Sequence, residues 1–228
     1  MARPTSATIH TDALRHNLSG VRARAPGSRV MAVVKADGYG HGLERVARAL
    51  QGADAFGVAA LSDAERLRAA GLSQPIVLLS GFDDPDDIPQ LRRLNVQTVV
   101  HHATQLAILE QAPDGDPVRC WLKVDSGMHR LGFAPEDVRD AYARLRAMPA
   151  VADQLVLMNH FASSDEFAGA AGAGAQTRAQ MQVFADATAG LDGERSLANS
   201  AAVLGWPDAH ADWIRPGGAL YGISVVDG

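Results

Sequence analysis

Cysteine is all but missing. Cys120 is the single one in 228 residues, so no disulfide can form within the chain. Its place inside Val118-Arg119-Cys120-Trp121-Leu122 marks it as a reduced core thiol rather than a nucleophile. An excess of basic charge is missing too. Lys and Arg number 21 against 26 Asp and Glu, a formal charge of -5, which leaves no broad cationic surface for nucleic acid or an anionic membrane. No stretch approaches the roughly 20 apolar residues of a membrane helix, and Met1-Ala2-Arg3-Pro4-Thr5-Ser6 lacks the apolar core of a secretory signal. The cytoplasm is therefore the expected location. The histidines lack ligand spacing, with His101 and His102 adjacent, so no metal centre is expected. What remains is an ordinary globular composition, 47% hydrophobic and 21% charged, long enough for one large domain.

Short apolar, β-branched runs alternate with longer Ala/Leu/Arg segments, the pattern of βα units around a parallel sheet. Strands are expected at 29–34, 55–60, 76–80, 96–100, 118–124, 155–160, 195–198 and 212–214. Helices are expected at 42–50, 62–70, 86–93, 103–112, 135–147 and 176–189, where apolar residues recur at helical spacing. Ser62 and Glu65 have the offset of a capping box. About eight repeats in this length fit a (β/α)8 barrel better than a doubly wound sheet, which has fewer strands and a switch point. Residues 1–22 precede the repeat, with a short strand expected over Ser6-Ala7-Thr8-Ile9-His10 and then a helix through Arg22. The Gly/Ala run at 168–175 is expected to be a loop. No linker divides the chain, so 1–228 is taken as one barrel domain.

In a barrel, chemistry belongs at the C-terminal ends of the strands. Lys35 closes Val30-Met31-Ala32-Val33-Val34, and Lys123 closes Arg119-Cys120-Trp121-Leu122. An ammonium at the end of a buried strand is costly unless paired, and a desolvated lysine suits Schiff-base chemistry; the alternative is a side chain that reaches solvent. His160 ends the sixth strand, where it is either functional or a satisfied core histidine. Asn199-Ser200 follows the seventh and could meet an anion, or Ser200 could simply cap a helix. Arg215-Pro216-Gly217-Gly218 follows the eighth, and barrel phosphate sites commonly use the loops after strands seven and eight. Gly38-Tyr39-Gly40-His41-Gly42 lacks the spacing of a dinucleotide loop.

Four segments together resemble a known family. Ala32-Val33-Val34-Lys35-Ala36-Asp37-Gly38-Tyr39-Gly40-His41-Gly42 is similar to the pyridoxal-phosphate attachment motif of bacterial alanine racemases, enzymes of fold type III. Leu122-Lys123-Val124-Asp125-Ser126-Gly127-Met128-His129-Arg130-Leu131-Gly132, Asn159-His160-Phe161-Ala162, and Asn199-Ser200-Ala201 with Arg215-Pro216-Gly217-Gly218 agree in order. The resemblance implies pyridoxal 5'-phosphate bound as a Schiff base to Lys35, which would also be the base on the D-alanine side. It implies that Tyr39, Ser200 and the backbone of Gly217 and Gly218 hold the phosphate, that Arg215 faces the pyridine nitrogen, and that His160 supports Arg215. Arg130 would bond the phenolic oxygen, a carbamylated Lys123 would orient Arg130, and Asn199 would line the pocket. The implied activity is interconversion of L- and D-alanine, supplying D-alanine for peptidoglycan, in a cytoplasmic homodimer. Such racemases continue into a C-terminal β domain whose tyrosine is the second base, a role none of Tyr39, Tyr142 and Tyr221 fills. The expectation is a cofactor-binding barrel lacking that domain, with little racemisation alone. Beside it stand a non-catalytic pyridoxal-phosphate homeostasis barrel and a racemase of another amino acid.

Overall fold

The computed structural model describes residues 5–167 and 174–225. Eight parallel strands close into a barrel in sequential order: β1 Arg29–Val33, β2 Ala55–Val58, β3 Ile76–Leu78, β4 Val96–Val100, β5 Cys120–Lys123, β6 Val156–Met158, β7 Glu194–Ser196 and β8 Trp213–Ile214. Around it lie α1 Thr11–Arg24, α2 Lys35–Tyr39, α3 Leu43–Ala49, α4 Leu61–Ala69, α5 Asp87–Arg93, α6 Ala103–Glu110, α7 Val138–Ala147, α8 Ala175–Ala187 and α9 Ser200–Gly205, with short 3-10 turns between some of them. The strands are buried on both faces, which is why they are continuous apolar runs rather than alternating ones. Among the described residues, no helix is long and apolar enough to cross a membrane.

Two cores result. Inside the barrel, Met31, Ala55, Val77, Val99, Trp121, Val156, Met158 and Trp213 pack on one another, with Trp121 and Trp213 tilted at 5.5 Å between ring centres. Outside, a larger core joins strand residues such as Phe56 and Leu122 to Leu67, Ile88, Leu145 and Phe184 of the helices. Register places inward residues level, as in Trp121 beside Val156 and Ser196 beside Trp213.

The N-terminal mouth is closed by charge. Glu194 accepts from Arg29 at 2.6 Å, from Arg119 at 2.7 Å and from the Trp213 indole at 2.8 Å. The Arg29 guanidinium also lies 4.2 Å from the Trp213 ring centre. Trp121 donates to Gln97 at 2.8 Å in the same layer.

Two expectations need correction. Residues 6–10 form no strand; a lone extended segment has no ladder partner for its backbone groups, and only α1 follows, docked through Leu14, Leu18 and Val21. Ser62 does not cap α4. The helix begins at Leu61 with Ala60 in the cap position, which leaves Ser62 inside the first turn. Most of the Gly/Ala run, 168–173, falls outside the described residues; Gly174, in the left-handed region at φ +72, directly precedes α8.

Candidate active site

Lys35 does not prolong β1. It opens α2, a turn of left-handed helix in which Ala36, Asp37, Gly38 and Tyr39 have φ of 53, 52, 61 and 53. Left-handed backbone costs roughly 1–2 kcal/mol per non-glycine residue, and such strain persists where surroundings over-determine it. Here Gly38 donates to Val34 O and Gly40 to Ala36 O, both at 2.9 Å, and Gly42 donates to Asp37 O at 2.8 Å. The Asp37 carboxylate accepts from Leu43 N at 3.1 Å and from Arg66 at 2.9 Å. Its pKa is lowered, chiefly by Arg66. Gly38 is required: a Cβ there would lie 2.9 Å from Val46 Cγ2. The turn brings both Lys35 and Tyr39 to the wall of one cavity.

That cavity, about 670 Å³, sits over the C-terminal ends of the strands, with Val33, Leu79 and Met158 in its lining. Every site residue expected from sequence lines it: Lys35, Tyr39, Lys123, Arg130, His160, Asn199, Ser200, Arg215, Gly217 and Gly218. Lys123, at the end of β5, is only 6% exposed. It makes no hydrogen bond or ion pair among the described residues. Burial, reinforced by the charges of Arg215, Arg130 and Lys35, lowers its pKa to about 8. The loop beyond it is built on Asp125, whose carboxylate accepts from the backbone of Gly127 and Met128 at 3.0 Å and His129 at 2.9 Å. This carries the chain round to Arg130, exposed at the rim.

Arg215 is 5% exposed and reaches back under the cavity. It donates to Ser196 Oγ at 2.6 Å and to Asn159 O at 2.7 Å, and meets His160 Nδ1 at 3.4 Å. Burial lowers its pKa to about 10, which still leaves it charged at neutral pH. His160 is held at about 3 by burial and then by Arg215, so it is neutral and Nδ1 can accept from the guanidinium.

Ser200 is not the helix cap. Asn199 caps α9 by accepting from Ala202 N at 3.0 Å, which frees the Ser200 hydroxyl to accept from Gly217 N at 2.8 Å and Ala219 N at 3.2 Å. At Gly217 a Cβ would lie 2.3 Å from the Tyr39 hydroxyl, so glycine is what lets the backbone close against that side chain. Sequence reasoning overlooked Ser164 and Asp165. Ser164 donates to Asn199 at 2.7 Å and, with Asp165, lines the cavity. Their signal was position, four and five residues past His160 in the loop after β6. The whole offers two amines, two guanidiniums and a hydroxyl-and-amide cradle, which suits a small anionic ligand that an amine can attack.

A closed barrel with such a pocket at its C-terminal mouth has the architecture of a TIM-barrel enzyme. The family model described as "Alanine racemase, N-terminal domain" matches residues 9–225, and the chain belongs to that family. It is 53% identical over 222 residues to alanine racemase of Shewanella baltica (strain OS185), covering 97% of this chain and 61% of that protein. With alanine racemase of Vibrio cholerae the identity is 50%, covering 97% and 60%. The crystal structure of biosynthetic alanine racemase from Pseudomonas aeruginosa superimposes with a TM-score of 0.87 at 41% identity, covering 95% of this chain and 60% of that one. The chain thus spans about three-fifths of the length of the curated relatives it matches.

Proposed function

We propose that this chain is the cofactor-binding barrel of an alanine racemase, with pyridoxal 5'-phosphate carried on Lys35. The observation that supports it most is the phosphate cradle: the Ser200 hydroxyl, the Gly217 and Ala219 amides and the Tyr39 hydroxyl meet where a Cβ on Gly217 would collide. The unpaired cations around it fit a dianion better than a neutral ligand. Bound there, pyridoxal phosphate supplies an electron-withdrawing ring that makes the α-proton of an attached amino acid acidic.

The chain's own residues divide the rest. Lys35 would hold the cofactor covalently and would accept or return the α-proton on one face. Arg215 would face the ring nitrogen; because a guanidinium keeps its proton, it would give that nitrogen none, and electron withdrawal would be tempered. Neutral His160 supports Arg215. Arg130 would bond the phenolic oxygen, the backbone of Gly218 would join that of Gly217 in holding the phosphate, and Asn199 would line the wall. Lys123, with its lowered pKa, would add to carbon dioxide: the ammonium first gives up one proton, the free amine forms the N–C bond as a C=O pair moves onto oxygen, and a second proton leaves the nitrogen to solvent, so that a cation becomes a carboxylate-bearing anion beside Arg130. The opposite face of the substrate needs a second acid–base group, which we place outside this chain, in the C-terminal domain of a partner in a cytoplasmic homodimer.

The test is to add pyridoxal phosphate, reduce with borohydride and locate the label by peptide mass mapping. Label on Lys35, lost in Lys35→Ala, with little racemisation of alanine by this chain alone, is the expected result. Label elsewhere, or turnover equal to that of the longer racemases, would refute the reading.

A further inference from the structure

Tyr221 is absent from the cavity wall, yet it is the side chain against which Tyr39 rests. The two rings stack at 4.6 Å between centres and 24° between planes, and the His41 ring meets Tyr221 at 5.1 Å. The Tyr221 hydroxyl donates to the carbonyl of Val33 at 3.1 Å. Val33 N in turn donates to Pro216 O at 3.0 Å. One end of β1, two residues before Lys35, is therefore tied twice to the segment that follows β8. His41 Nδ1 completes the arrangement by donating to Tyr39 O at 2.9 Å.

Tyr39 needs such support. Its backbone is left-handed at φ 53, on a turn whose other residues are equally strained, and a phenol on that turn has no covalent reason to point at Gly217. A stacked ring restricts it to one orientation, and the Val33 bond fixes the stacked ring. Burial, with Tyr39 beside it, raises the pKa of the Tyr221 hydroxyl, so it remains a donor at any physiological pH.

We propose that Tyr221 is a positioning residue: it holds the Tyr39 hydroxyl in the phosphate cradle and couples the loop after β8 to the turn that carries Lys35. The inference rests on the cofactor reading above and extends it to a residue that touches neither cofactor nor substrate. It makes a chemical distinction. Loss of Tyr221 weakens the grip on the phosphate and leaves the amine of Lys35 as reactive as before.

The experiment compares pyridoxal phosphate with pyridoxal, which has the aldehyde but no phosphate. Dissociation constants for both are measured by absorbance titration of the wild-type chain, Tyr221→Leu, Tyr221→Phe, Tyr39→Phe and the Tyr39→Phe/Tyr221→Leu double variant. Tyr221→Leu is expected to weaken pyridoxal phosphate about five- to tenfold, the scale of a lost aromatic stack, and to leave pyridoxal unchanged. Tyr221→Phe keeps the stack and loses one neutral hydrogen bond, so about two- to threefold is expected, again for the phosphate form alone. The double variant should be no weaker than the worse of its two parents, because both act through one hydroxyl. Equal weakening of both ligands by either Tyr221 variant, or additive losses in the double variant, would overturn the proposal. Should Tyr221→Leu fail to fold, the phosphate-specific loss in Tyr221→Phe decides alone. Failure of the wild-type chain to bind either ligand would instead overturn the cofactor reading, and this inference with it.

Discussion

The two mouths of the barrel handle charge in opposite ways. At the N-terminal mouth Arg29 and Arg119 share Glu194 at 2.6 and 2.7 Å, and an indole completes the carboxylate's partners. At the C-terminal mouth Lys35, Lys123 and Arg130 make no hydrogen bond or ion pair among the described residues, although Lys123 is almost fully buried. The fold around both ends is the same ring of strands. Charges that are paired stabilise the chain, while charges left unpaired cost it; on the proposed function the barrel keeps its stability and its ligand site at opposite ends.

The largest consequence lies at the N-terminal end. Glu194→Gln leaves Arg29 and Arg119 without a counter-charge, and removing one partner of a partly buried pair should cost about 2–3 kcal/mol, less than for a fully buried one because these side chains still see water. Urea unfolding would measure it. Affinity for pyridoxal phosphate should not change, and a parallel loss of affinity would break the separation between the two ends.

At the other end the sign reverses. In buffer freed of carbon dioxide, Lys123→Met should stabilise the chain by about 1–2 kcal/mol, since an unpaired buried ammonium is replaced by an apolar chain of similar length. The pH dependence carries a second signature. The folded pKa of Lys123 is about 8 against an ordinary 10.5, so between those values the unfolded chain binds the extra proton. Wild-type stability should therefore rise from pH 8 to 10.5, and the Met variant should lose that rise. Bicarbonate should stabilise the wild type and leave the variant unmoved.

The strands were legible because burial on both faces leaves no room for polar alternation, and each expected run contains its observed strand or lies within a residue of it. Their ends were less so: 55–60 stops at Val58 because Ala59 and Ala60 already turn toward α4. The cavity residues were legible because each ends a strand or lies in the loop or turn that follows one, where a barrel exposes its residues. The left-handed turn was not, since Ala36 and Tyr39 are not residues that announce positive φ. The Glu194 cluster was equally hidden, its partners coming from β1, β8 and the approach to β5, with no local pattern to link them. The segment 6–10 shows the limit of local pattern from the other side: it has a strand's composition and no strand partner among the described residues.

A smaller perturbation separates the site's shape from its charge. Gly217→Ala puts a methyl group 2.3 Å from the Tyr39 hydroxyl, so the phenol must leave the cradle. Affinity for pyridoxal phosphate should fall about tenfold, the value of roughly one charge-assisted hydrogen bond, with urea unfolding changed by less than about 1 kcal/mol. A large loss of stability would mean that the loop after β8 serves the fold as much as the ligand.

The smallest expected effect belongs to His160. Its folded pKa of about 3 lies below the ordinary 6.5, so the unfolded chain takes up a proton that the folded chain refuses. Its contribution is complete above pH 6.5 and is lost progressively as pH falls toward 3. Between pH 6.5 and about 5 the carboxylates of Asp37, Glu44 and Glu194, all held below their ordinary values, have not begun to protonate. The decline in that window should therefore be due in large part to His160. His160→Asn keeps an acceptor for Arg215 near the position of Nδ1 and removes the titrating ring. The variant should start slightly less stable at pH 7.5 and fall less steeply from 6.5 to 5, as read by thermal unfolding across that range. An unchanged slope would mean that neither burial nor the cations around this histidine hold it neutral, and that the C-terminal mouth does not carry the unrelieved charge that the comparison of the two ends requires.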